Sequence, residues 1–179
     1  MSEGTYHIEQ MISSEEVDRR AAELGRRISE DYRGRVIHMI CVLKGGVYFM
    51  TKLSSCISED VPVTLDFMSV SSYGDELKST GVVRILKDLD QPLAGRDVLV
   101  VEDIIDSGRT LHYLLGMLRA RNPRSLKLCT LLHKPERREM DVKVDYTGFE
   151  IEDRFVVGCG MDFEQKYRNL PYIGVVEFD

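Results

Sequence analysis

The sequence predicts an α/β fold, a mainly parallel twisted sheet flanked by helices. Three observations carry that expectation. Apolar runs of strand length, Val36 to Leu43 and Val98 to Val101, are almost unbroken, as in strands covered on both faces. Between such runs lie segments whose apolar residues recur three and four positions apart, the helical period. The chain's 179 residues, 43% of them hydrophobic, are enough for one core without disulfide staples.

The elements follow in order. Ser13 and Glu16 stand at capping-box spacing, and Val17, Ala21, Leu24 and Ile28 then share one helix face, with Gly34 as its stop. Val36 to Leu43 is the first core strand. Lys44-Gly45-Gly46 leads into a helical stretch through Ile57, and Val61 to Val70 forms another strand. The polar stretch from Ser71 to Gly81 reads as a loop and Val82 to Leu86 as a strand. Val98 to Val101 is short and buried. Thr110 to Asn122 is helical, with Leu111, Leu114, Leu115 and Leu118 on one face. Ser125 to Leu132 and, later, Phe155-Val156-Val157 complete the strands. The N-terminal helix and the segment after residue 155 fall outside the alternation. One domain over 1–179 is therefore expected, with a core of about 36–154 and a small hood from about 1–35 and 155–179.

Charge and cysteine usage narrow the function. Lys and Arg number 24 against 30 Asp and Glu, a net charge of −6, so a broad basic surface for nucleic acid is not expected. No apolar run reaches the roughly 18 residues of a membrane span, and Met1 to Tyr6 lacks the basic start and apolar block of a signal peptide. Cys41, Cys56, Cys129 and Cys159 are scattered, without zinc-ligand spacing. Reduced thiols in a cytoplasmic protein are the expectation.

Parallel sheets bind ligands beyond the carboxyl ends of their strands. After Val98 to Val101 come Glu102-Asp103-Ile104-Ile105-Asp106-Ser107-Gly108-Arg109-Thr110, directly before a helix. Three carboxylates within five residues repel one another unless cations or hydroxyls receive them. Ser107, Gly108 and Thr110 then supply hydroxyls and a permissive backbone at a helix N-terminus, an anion site. Acids for a sugar or a metal, followed at once by a phosphate cradle, describe a ribose-phosphate site.

The stretch Val100 to Thr110 resembles the phosphoribosyl pyrophosphate (PRPP) signature of type I phosphoribosyltransferases. The likeness runs from about Ile37 to the C-terminus. It continues through Leu43-Lys44-Gly45-Gly46, Ser71-Ser72-Tyr73-Gly74, Leu131-Leu132-His133-Lys134, Phe155-Val156-Val157-Gly158, Met161-Asp162-Phe163 and Tyr167-Arg168-Asn169-Leu170-Pro171-Tyr172. The later segments resemble the bacterial hypoxanthine-guanine branch of that family.

The resemblance implies a magnesium-dependent purine salvage reaction. A 6-oxopurine N9 displaces pyrophosphate from C1 of PRPP, giving IMP or GMP. Asp106 is then the general base at purine N7. Glu102 and Asp103 hold the ribose hydroxyls and Mg²⁺, and Ser107, Gly108, Arg109 and Thr110 wrap the 5-phosphate. Lys44, Gly45 and Arg168 meet pyrophosphate, with a cis peptide bond expected at Leu43–Lys44. Ser72 and Tyr73 belong to a loop that folds over the site. Lys134 donates to the purine 6-oxygen, Phe155 stacks on the base, Val156 offers backbone groups to its edge, and Asp162 binds a second magnesium or its waters. A homodimer or homotetramer is implied. Where the family commonly has Gly-Tyr-Gly followed by Leu-Asp-Tyr, this chain has Gly158-Cys159-Gly160-Met161-Asp162-Phe163. The lost hydroxyls imply either a looser second-metal shell or neutral packing. Another base specificity, such as xanthine, is a neighbouring reading. A PRPP-fold regulator that senses nucleotides and binds RNA is a rival of a different class, and the net charge of −6 argues against its basic face.

Overall fold

The computed structural model describes residues 5–72 and 83–178. Its frame is a six-stranded sheet in the order β4-β3-β2-β5-β6-β7. These strands are β2 (Ile37–Leu43), β3 (Val63–Ser72), β4 (Val83–Lys87), β5 (Asp97–Ile105), β6 (Ser125–His133) and β7 (Tyr146–Glu150). All pairs are parallel except β3 with β4. The mainly parallel α/β fold is as expected.

Strand side chains alternate between faces, and the two halves of the core follow that alternation. Met39, Cys41, Leu99, Val101, Cys129 and Leu131 pack with helix α1 (Ser14–Asp31) and helix α2 (Gly46–Ser54). Ile40, Val42, Val98, Val100 and Leu128 point the other way, onto Leu111, Leu114, Leu115 and Leu118 of helix α3 (Arg109–Arg119). Burial on both faces is why these strands read as apolar runs and not as alternating ones.

Helix α1 starts as its sequence dictates. The Ser13 hydroxyl accepts from the Glu16 N–H at 3.2 Å, and the Glu16 carboxylate accepts from the Ser13 N–H at 2.8 Å. Its apolar stripe of Val17, Ala21, Leu24 and Ile28 is buried. The helix lies against α2 and β7, and Arg20 donates to the carbonyls of Thr147 and Gly148, both at 2.8 Å. It thus covers the large sheet and takes no part in the hood. An apolar stripe of that length needs a broad apolar face, and the sheet supplies one.

The hood is a second, three-stranded antiparallel sheet in the order β1-β9-β8. Its strands are β1 (Tyr6–Ile12), β8 (Val156–Val157) and β9 (Ile173–Phe178). Both β1 and β9 lie outside the strands read from the sequence, as does β7. Among the described residues no helix is long and apolar enough to cross a membrane.

Replacing Ser13 by Ala removes one half of the capping box, so Ser13→Ala should cost about 1 kcal/mol of stability. Urea unfolding measures this directly. An unchanged midpoint would mean that the cap carries no weight in the folded protein.

Candidate active site

In a parallel sheet every strand ends on the same edge, so residues far apart in sequence converge there. After β2 come Lys44 and Gly45, and the Leu43–Lys44 bond is cis, as expected. Strand β5 runs four residues further than its apolar stretch, to Ile105, which places Glu102 and Asp103 on the strand itself. Asp106 to Gly108 then make the turn into α3. After β6 comes Lys134, and after β7 come Asp153 and Phe155.

A cleft of about 230 Å³ opens at this edge. Asp103, Ile104, Asp106, Lys134, Phe155, Val156, Met161 and Asp162 line it. Six of these are residues singled out from the sequence; Ile104 and Met161 are additions. Glu102 does not line the cleft. Its carboxyl instead meets that of Asp103, its neighbour on β5, in a side-chain hydrogen bond.

Burial pushes the Glu102 carboxyl well above the usual carboxylate range, and the neighbouring Asp103 charge pushes in the same direction. Burial also raises Asp103, against the Ile104 N–H, which donates to its carboxylate at 2.7 Å, and against the positive charge of Arg168. Two carboxyls this close and this buried repel each other when both are charged.

The candidate phosphate turn is built around a glycine. Gly108 has φ +81° and precedes α3, whose first N–H groups lack helical acceptors. The Ser107 carbonyl accepts from the N–H groups of Glu139 and Met140 at 2.9 and 3.1 Å, fixing the turn from below. Arg109 and Thr110 are exposed at the helix start, and Arg109 pairs with Glu139.

The pyrophosphate candidates also meet. Lys44 and Arg168 both donate to the Gln165 side-chain oxygen, at 3.3 and 3.2 Å. Arg168 further pairs with Asp162 at 2.8 Å and donates to the Gly160 carbonyl at 2.7 Å. Asp162 accepts from the Gln165 N–H at 2.8 Å. Ser72 ends β3, while Tyr73 and the rest of that loop lie outside the described residues.

Lys134 is only 7% exposed, and its ammonium donates to Asp153 at 3.3 Å. Arg137, in the 3-10 turn Pro135–Arg137, donates to Asp106 at 3.1 Å. Phe155 is half exposed, and its ring meets the edge of Phe163 at 5.6 Å between centroids. Sequence reasoning missed Asp153, Arg137 and Gln165. Each is a charged or polar residue in a polar stretch, and only the fold shows where it points.

Comparison with known proteins decides what this edge belongs to. Residues 8–164 match the model of the phosphoribosyl transferase domain. The chain belongs to the phosphoribosyltransferase family. Its relatives include the hypoxanthine-guanine phosphoribosyltransferase of Mycobacterium tuberculosis, 50% identical over 93% of this chain and 85% of that protein. They also include the hypoxanthine phosphoribosyltransferase of Salmonella typhimurium, 51% identical over 94% and 95%. Among solved structures, a Bacillus anthracis hypoxanthine-guanine phosphoribosyltransferase with HEPES in its active site superposes with a TM-score of 0.90. It is 45% identical, and the match covers 97% of this chain and 99% of that one. This phosphoribosyltransferase is accordingly an enzyme with the type I fold of its family.

The raised Glu102 carboxyl has a consequence for stability. The folded state holds that proton more tightly than the unfolded chain does. Its contribution is full below the ordinary carboxylate range and is lost as pH rises through the raised value. Glu102→Gln keeps the shape without the charge. In the absence of substrates it should raise Tm by about 2–4 °C at pH 8, for a gain on the order of 1 kcal/mol, and by less at pH 5. Circular-dichroism melts at the two pH values test this, and an equal or lower Tm at pH 8 refutes it.

Proposed function

We propose that this phosphoribosyltransferase moves the 5-phosphoribosyl group of PRPP onto N9 of hypoxanthine or guanine. The N9–C1 bond forms as the bond from C1 to pyrophosphate breaks, and IMP or GMP results. One observation carries the reading: a nearly buried lysine, Lys134, shares a small cleft with a carboxylate and an open aromatic ring. An ammonium has donors and no acceptor, so it pairs with a purine 6-oxygen and not with a 6-amino group. The names of the relatives support the same substrates.

Each residue then has its task. Phe155 stacks on the base, and Val156, beside it in β8, presents backbone groups to the base edge. Asp106 accepts the proton from N7, which sits next to the 6-position that Lys134 recognises. Glu102 and Asp103 hold the ribose hydroxyls, and their negative charge favours the oxocarbenium character that develops at C1. Ser107, Gly108, Arg109 and Thr110 receive the 5-phosphate at the start of α3. Lys44, the Gly45 backbone and Arg168 receive pyrophosphate. Ser72 and Tyr73 exclude water, which otherwise hydrolyses PRPP.

The acids fit Mg²⁺. All donors are hard carboxylate oxygens, and the paired Glu102 and Asp103 repel each other unless a cation is shared. Such a set suits Mg²⁺, which usually takes one or two carboxylates and completes its shell with water and substrate phosphates. Glu102 and Asp103 would hold one ion, and Asp162 a second or its waters. The ion, when bound, supplies neutralising charge for the departing pyrophosphate. The four cysteines are free thiols, in keeping with a cytoplasmic enzyme.

The direct test is incubation with PRPP, Mg²⁺ and a panel of bases. Hypoxanthine and guanine should yield nucleotide, and adenine should be used about 10⁴-fold less well, since it leaves the Lys134 donor unpaired. Lys134→Ala should lower kcat/KM for hypoxanthine heavily and spare PRPP binding. Comparable wild-type values for adenine and hypoxanthine would overturn the assignment. Asp106→Asn should lower kcat by about 10²–10⁴-fold while PRPP still binds, because the amide is polar but no base. Near-normal turnover of the pure variant would remove Asp106 from the mechanism.

A further inference from the structure

We propose that Asp153 is the positioning residue that sets base selection, acting through Lys134, and that Arg137 extends its hold to Asp106. The inference rests on the purine-transfer reading above and deepens it. It starts from a solvation problem. Lys134 is 7% exposed, and a buried ammonium without a counter-charge is costly. Asp153 supplies that charge at 3.3 Å. The second oxygen of the same carboxylate faces Arg137 at 3.6 Å, and Arg137 in turn donates to Asp106 at 3.1 Å. Four charges of alternating sign thus run Lys134, Asp153, Arg137, Asp106, and the two ends of the row, Lys134 and Asp106, line the cleft.

The chemistry of the two ends gives the chain its purpose. A lysine ammonium has three donors on a flexible stem, so one ion pair leaves two donors to be aimed. With one donor held by Asp153, the others are turned toward the place of the 6-oxygen. At the opposite end Arg137 holds Asp106 at the place of N7. The 6-oxygen and N7 are neighbours on a purine, and the two groups that read them are tied to a common carboxylate. Asp153 also lies two residues before Phe155, in the segment linking the large sheet to the hood. The same ion pair therefore fixes where the stacking ring enters the cleft. Arg137 and Asp153 are each about half exposed, so their mutual contact contributes little to stability; its role is orientation.

The test is a double-mutant cycle on the full chain, read by IMP binding in calorimetry and by hypoxanthine turnover. Wild-type turnover of hypoxanthine is the control for the underlying reading, and its absence would indict that reading and not the role of Asp153. Asp153→Ala should weaken IMP binding and lower hypoxanthine kcat/KM by about 10-fold or more. KM for PRPP should stay within about twofold. In a Lys134→Ala background the same change should alter IMP binding by less than about twofold, because its target is gone. Asp153→Asn, which keeps an acceptor, should recover part of the loss. If Asp153→Ala does not fold, Asp153→Asn is carried through the same cycle. Equal losses with and without Lys134, or a matching rise in KM for PRPP, would overturn the proposal.

Discussion

The active edge depends on the close packing of two glycines, Gly45 and Gly160, against each other and against Asp103. A Cβ on Gly45 would stand 1.8 Å from the Asp103 carboxylate, and a Cβ on Gly160 would stand 1.9 Å from the Gly45 carbonyl. Gly160 also has φ +104°, a conformation that L side chains rarely adopt. Three segments are stacked by this contact: the end of β2, the acidic end of β5 and the loop after β8. Because they touch, Lys44 and Arg168 converge on one side chain, Gln165, and Asp103 and Asp162 line one cleft. A side chain at Gly160 would drive the hood loop away from the end of β2, and one at Gly45 would displace the Asp103 carboxylate.

The charges gathered at that edge are arranged for a ligand more than for the folded chain. Arg168 balances Asp162, and Asp153 balances Lys134, but Glu102 and Asp103 stand side by side with burial raising both. Proteins break their own rules of charge burial most often where they bind and react. Here the violation is confined to two residues at the end of a central strand. The apolar stretch before them, Val98 to Val101, is wholly buried and holds them in place.

The large sheet was legible because burial on both faces leaves a continuous apolar signal in β2 and β5. The α1 start was legible because a capping box is a local device of four residues. What escaped notice was the structure whose signal is half polar. In β1 only the last residue, Ile12, is buried, and β7 alternates buried with half-exposed positions. At its C-terminal end strand β5 runs four residues beyond the sequence expectation, because its acids look like loop although their backbone still pairs with β6 as far as Ile105. Residues of the PRPP signature stand out in the sequence because they are contiguous. Asp153, Arg137 and Gln165 do not, since their meaning lies in which partner they face across the edge.

The departure at Met161-Asp162-Phe163 belongs with packing. Phe163 sits in an aromatic cluster, edge-on to Tyr6 at 5.1 Å, to Phe155 at 5.6 Å and to Phe178 at 5.9 Å. These edge-to-face contacts suit the ring quadrupoles and favour an apolar ring at the centre. The cluster's polar contact lies at its margin, where the Tyr6 and Tyr167 hydroxyls bond at 2.7 Å. That bond ties the first strand of the hood to the loop bearing Arg168. A hydroxyl on residue 163 is therefore not needed to hold the loop. Phe155 gains from the arrangement: one side of its ring is braced by Phe163, while the residue stays half exposed and lines the cleft. Brace and open face together make the ring a fixed wall of the cleft, beside Lys134 and Asp106.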